Sequence, residues 1–143
     1  MPTIKAEYRA DVVSTAERLW DILADVKAWP EWQGTSYVDP PTARPQEGST
    51  FAAELGGHTW NVTVTEADRP RRLVWSGRQM GLKAVHEWEF AEAGGRTQAL
   101  SRDTISGWPL LVARAAVGKK VSEHDQKWLA SLKVKAESSS AQY

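Results

Sequence analysis

One change of hydrophobic period divides this chain. Before Gly107, apolar residues recur at every second position in short runs. After it they recur at helical spacing, with Leu110, Val117, Val121, Trp128 and Leu132 on one stripe. Period two makes strands with one apolar face, and such a sheet must be covered. The only element long enough to cover it is a single helix from about Pro109 to Glu137. Gly118 inside that helix costs about 1 kcal/mol relative to Ala and marks a place for a kink or a later start. The fold class that follows is α+β: a curved antiparallel sheet of about six to seven strands wrapped on a long C-terminal helix, with two short helices after the first strand.

The local signals agree with this plan. Thr3–Val12 alternates Ile4, Ala6, Tyr8, Ala10 and Val12 with charged or polar residues. Ser14-Thr15-Ala16-Glu17 reads as a capping box with Ser14 at the N-cap. Ala16, Leu19, Trp20, Leu23 and Val26 then recur at helical spacing. Trp29-Pro30-Glu31-Trp32 reads as a one-turn helix with Pro near its first position. From Tyr37 a short strand passes into a rigid loop holding Pro40, Pro41 and Pro45. Strands are expected over Ser49–Leu55, Thr59–Thr65, Leu73–Gln79, Ala84–Ala91 and Thr97–Ile105. Gly56-Gly57, Glu66–Arg72, Met80-Gly81 and Gly94-Gly95 make the turns between them. Neither a repeat nor a linker interrupts the chain, so residues 1–137 read as one domain and residues 138–143 as a disordered tail.

Composition removes several function classes. Eighteen Lys+Arg balance eighteen Asp+Glu, which leaves no electrostatic footprint for nucleic acid or an anionic membrane. There is no cysteine, hence no disulfide, zinc–thiolate site, iron–sulfur cluster or thiol nucleophile. The start lacks an apolar signal region and no run is long enough for an integral membrane segment, so the expectation is a cytoplasmic protein. His58, His86 and His124 fall in no H-x-H or H-E-x-x-H spacing, so no metal is expected, and no glycine-rich phosphate loop points to a cofactor. The eight tryptophans stand out. Each indole can bury about 150–250 Å² and carries an N–H that needs a partner when buried, so eight either pack core and rim or also face a ligand.

Several segments carry a resemblance. Val13-Ser14-Thr15-Ala16-Glu17-Arg18-Leu19-Trp20 and Trp29-Pro30-Glu31-Trp32 are two of them. The others are Pro70-Arg71-Arg72-Leu73-Val74-Trp75-Ser76-Gly77, His86-Glu87-Trp88-Glu89-Phe90 and Gly94-Gly95-Arg96-Thr97. With them the sequence resembles the START-like helix-grip (SRPBCC) superfamily, in particular its polyketide cyclase/dehydrase-like branch, over nearly its whole length. The resemblance implies a helix-grip fold. It also implies functions as different as hydrophobic-ligand carriage, aromatase/cyclase activity, hormone reception, coenzyme Q binding and chaperone assistance.

With Trp60, Trp75 and Trp88 facing the helix, pleat parity turns Phe51, Ala53, Leu55, Val62, Val64, Leu73, Gly77, Gln79, His86 and Phe90 inward too. On the last strand alternation leaves two faces open, Ala99, Ser101, Asp103 and Ile105 or Gln98, Leu100, Arg102 and Thr104. The family pattern, with an acidic residue on the cavity side before the strand-end glycine, selects the first as inward. Gly77, Ala53 and Ala99 then leave room. The expected ligand-binding residues are Trp32, Phe51, Trp60, Trp75, Gly77, Gln79, His86, Trp88, Ser101, Asp103 and Trp128. His86 and Asp103 are the candidates for acid–base chemistry of a cyclase/dehydratase kind. Ser101 lies mid-strand, without the glycine-flanked turn of a nucleophile elbow. Related aromatase/cyclases use a pocket arginine, but Arg78 and Arg102 fall on the outward parity. Trp29 and Trp32 either close one end of a cavity or pack a helical corner. The function implied is binding of a small hydrophobic ligand, lipid-, polyketide- or isoprenoid-like. The alternative is a protein-interaction module with a packed interior, and a cavity of several hundred Å³ separates the two.

Overall fold

The computed structural model describes residues 2–35, 38–39, 45–55 and 57–140. Most of the proline-rich loop, Gly56 and residues 141–143 of the tail lie outside the described residues. The elements run β1 (Thr3–Val12), α1 (Ala16–Ala24), a 3-10 turn (Val26–Ala28), α2 (Trp29–Trp32), β2 (Val38–Asp39), β3 (Thr50–Leu55), β4 (His58–Asp68), β5 (Arg72–Gln79), β6 (Leu82–Ala93), β7 (Arg96–Gly107) and α3 (Leu110–Ser140). All seven strands form one antiparallel sheet in the order β1-β7-β6-β5-β4-β3-β2. Helix α3 lies across its apolar face, the helix-grip arrangement that the change of period implies. Among the described residues no helix is long and apolar enough to cross a membrane.

The details depart from expectation in four places. The N-cap of α1 is Thr15, whose side chain accepts from the Arg18 N–H at 3.2 Å. Ser14 is buried one residue earlier, and the Ala16 N–H donates to Glu92 instead. The charged turn before β5 is short, because β4 continues to Asp68 through a bulge between Val64 and Glu66. The break in α3 falls at Ala113 (φ −133°, ψ 30°) and not at Gly118, which lies near Ile4 of β1. Helix α3 also continues to Ser140, three residues beyond the predicted end. Two glycines are dictated by close approach. A Cβ on Gly107 would stand 2.0 Å from the Gly81 carbonyl oxygen, and one on Gly81 would strike the Trp108 indole.

The two faces of the sheet have opposite chemistry. Outside, Arg72 pairs with Glu66, Glu87 and Glu89, and Arg102 with Glu7, Glu87 and Glu89. Inside, the predicted parity holds on every long strand, and Ala99, Ser101, Asp103 and Ile105 of β7 are all buried. Antiparallel register lines the inward residues into rows. One row runs Leu73, Trp88, Ser101 and Tyr8; the next Val64, Trp75, His86, Asp103 and Ala6; the third Val62, Gly77, Ala84, Ile105 and Ile4.

Candidate functional site

These rows differ in side-chain volume. At the first row and beyond, the interior is solid: Leu19, Leu23, Trp29, Leu73, Trp88, Trp128 and Leu132 are essentially sealed from solvent. The third row is built from a glycine, an alanine and branched aliphatics. Opposite it, the first half of α3 presents Ala113, Ala116, Val117 and Val121. Small residues on both sides cannot meet across the gap, and a cavity of about 330 Å³ remains between sheet and helix. Trp60, Trp75 and Trp128 form broad parts of its wall, while exposed His58 and Lys120 line its solvent side.

The middle row gives the cavity its polar end. His86 on β6 and Asp103 on β7 are register neighbours, and Asp125 of α3 reaches them from above. One donor atom from each of the three lies within 4.8 Å of the other two. His86 Nε2 and Ser101 Oγ are hydrogen-bonded at 2.8 Å, and His86 Nδ1 stands 4.0 Å from Asp103 Oδ2. His124 Nδ1 lies 3.7 Å from Asp125 Oδ1. Aromatic rings surround the imidazole: Trp88 stacks on it with centroids 4.7 Å apart, Trp128 meets it edge-on at 5.2 Å and Trp75 at 5.5 Å.

Burial sets the electrostatics. It lowers His86 to about 3, with the nearby His124 adding to the effect, so the ring is neutral across the physiological range. Burial raises the Asp103 carboxyl well above its ordinary value, and proximity to Asp125 raises it further. Burial likewise raises Asp125 to about 6, against a lowering hydrogen bond from Asp103. Two carboxyls so close in an apolar pocket resist ionising together, so the pair retains a proton toward neutral pH. Asp103 Oδ1, Asp125 Oδ2 and the Trp128 indole N–H are buried at the cavity without a hydrogen-bond partner, as are Ser14 Oγ and the Trp88 indole N–H away from it. Such groups are rare in a merely structural interior.

Of the residues expected to meet a ligand, Trp60, Trp75, Gly77, Gln79, His86, Asp103 and Trp128 line the cavity. The other four do not. Phe51 packs edge-on against Trp29, 5.5 Å between centroids, and Trp32 is half-buried against the core. Trp88 and Ser101 belong to the row behind His86 and do not line the cavity. The Trp29–Trp32 turn is a packed corner, with the Trp29 indole donating to the Leu23 carbonyl at 2.9 Å. Gly77 is closely covered, since an added Cβ would stand 3.2 Å from Trp60 Cε3. Asp125 escaped the sequence reading, and His124 was weighed there only as a metal ligand, although both interrupt the apolar stripe of α3 between Val121 and Trp128. A charged residue on the buried side of a helix was the available signal.

The geometry has counterparts. An aromatase/cyclase, Zhui, from a Streptomyces species superimposes with a TM-score of 0.79 at 17% identity, over 95% of this chain and 94% of that one. A START superfamily protein from Mycobacterium smegmatis gives 0.76 at 17% identity, over 94% and 97%. At such identities the likeness is one of fold. No curated protein matches the sequence. The model of the family described as polyketide cyclase / dehydrase and lipid transport matches residues 3–137. By that match across nearly its whole length, the chain belongs to this family.

Proposed function

We propose that the protein binds a small apolar molecule, with one carbonyl or hydroxyl group, in the cavity between the sheet and α3. The observation that carries this is the pairing of about 330 Å³ of space walled by Trp60, Trp75 and Trp128 with one buried polar end at His86, Asp103 and Asp125. Apolar walls supply affinity without direction, and a few converging polar groups fix orientation. The carboxyl pair donates a hydrogen bond to the ligand oxygen, and neutral His86, held by Ser101, fixes the position of that end. If a reaction follows, it is acid–base, of the cyclase/dehydratase kind. The proton comes from the carboxyl pair, because His86 at about 3 is too weak a base to carry it. The space weighs against the alternative of an interaction module with a packed interior.

Filling the space tests this. Ala84→Leu adds volume at a position on the cavity wall. It should weaken binding of planar and acyl-chain probes at least tenfold, read by indole fluorescence, and leave the unfolding midpoint almost unchanged. Unaltered binding in that variant, or no fluorescence response to any apolar probe in the wild type, rejects the proposal.

A further inference from the structure

His86, Asp103 and Asp125 come from three different elements, so no sequence spacing announces them together. All three residues are more than nine-tenths buried, and each offers one donor atom within 4.8 Å of the others. A hydrogen bond links the Asp103 and Asp125 carboxyls, but it does not engage His86. His86 Nδ1 and Asp103 Oδ2 are 4.0 Å apart, too far for a hydrogen bond but suited to two ligands of one ion. Donors about 2.0–2.2 Å from a metal stand roughly 3–4 Å from one another. Asp103 Oδ1 and Asp125 Oδ2 have no partner. Within the described residues, neither Asp103 nor Asp125 has a Lys or Arg ion pair. The outer shell is in place as well: Ser101 holds His86 Nε2, which orients the ring with Nδ1 toward the carboxylates, as second-shell partners of metal-bound histidines do.

We propose that His86, Asp103 and Asp125 form a three-ligand site for a divalent first-row transition-metal ion, with its remaining coordination positions open to the cavity. Two carboxylates and a neutral imidazole balance a doubly charged ion in a place where an unbalanced charge is costly. One nitrogen and two oxygens suit an ion between Mn²⁺ and Zn²⁺. Calcium, which takes six to eight oxygens, is poorly matched. The ion would take the place of the proton that the carboxyl pair otherwise holds, and a ligand oxygen would then meet the ion instead of the carboxyl; the apolar walls of the cavity serve either state.

The test uses the full chain, stripped with a chelator and titrated with Co²⁺, with Zn²⁺ as competitor. One equivalent of Co²⁺ should bind, give visible d–d absorption and quench indole emission, because three tryptophan rings lie within 5.5 Å of the His86 ring. Zn²⁺ should displace it and raise the melting temperature. Asp103→Asn and Asp125→Asn should each weaken Co²⁺ at least tenfold while keeping the wild-type near-ultraviolet circular dichroism. Three results overturn the site: no stoichiometric uptake, uptake by the wild type without quenching, or uptake that both asparagine variants retain. The quenching result needs no variant and stands even if a substitution impairs folding. Binding of apolar probes to the stripped protein is scored separately, so loss of one proposal leaves the other to its own experiment.

Discussion

The same sheet and the same helix enclose a solid interior at one end and an open one at the other. Toward α1, helix α3 contributes Trp128, Leu129, Leu132 and Ala136 to a core closed by Leu19, Trp29 and Trp88. Toward Gly107 it contributes Ala113, Ala116 and Val117, opposite Gly77 and Ala84. Backbone architecture is shared, so the difference lies in side-chain volume and in the third layer that α1 adds at one end only. Close packing and open space are therefore carried by different halves of one domain, and the titratable cluster occupies the row between them.

The largest test of that division applies one chemical change at both ends. Leu132→Ala should cost about 2–5 kcal/mol, since a sealed site cannot collapse around the lost atoms. Leu82→Ala, on the cavity wall, should cost about 1–2 kcal/mol, because it enlarges a space that already exists. Equal losses in denaturant unfolding would dissolve the distinction.

The boundary row is tested by pH, in the presence of a chelator. Burial raises Asp125 to about 6, so its protonated form is favoured in the folded state. That contribution is complete below the unfolded value of about 4 and is lost as pH rises through 6. The stability of the wild type relative to Asp125→Asn should accordingly fall over this range. His86 has the opposite sign. Its folded value of about 3 gives a contribution complete above the unfolded value of about 6.5 and lost as pH falls toward 3. Wild type minus His86→Gln should thus decline on acidification. Two flat differences would mean that the row is wetter than its burial indicates.

The smallest effect concerns the helix itself. Gly118 sits inside α3, and a Cβ there would meet Ile4 Cδ1 at an ordinary 3.8 Å. Gly118→Ala should therefore stabilise by about 0.5–1 kcal/mol without altering ligand binding. A loss of stability would show that α3 and β1 need a closer approach than this contact implies.

What the sequence made legible follows from the range of each signal. Alternation is local, and it located β1 to the residue and the inward face of β3 to β6; on β7 it left both faces open, and only the family pattern chose the face that is buried. Parity says which face a residue occupies but not which end of the helix lies above it. Phe51, Trp88 and Ser101 therefore lie on the expected face but away from the cavity wall. Caps and kinks turn on single dihedral angles: Thr15 took the role that Ser14 offered equally well, and the break fell at Ala113, which no residue type advertises. Asp125 was missed because a stripe is read from its apolar members, whereas the site lies where that stripe is interrupted.

The pairing of the first strand with the last has a consequence in time. Thr3 lies opposite Ser106 and Val12 opposite Thr97, so β1 finds its partner only across most of the chain. Contacts between segments about a hundred residues apart are slow to close, because the intervening loop must be ordered before they give any return. During synthesis β1 is made early and stays exposed until β7 arrives. Helix α3, which supplies Asp125 and Trp128 to the cavity, follows later still. The pocket is thus among the last features to form, and a molecule that fills it acts on the finished fold by mass action rather than guiding the chain toward it.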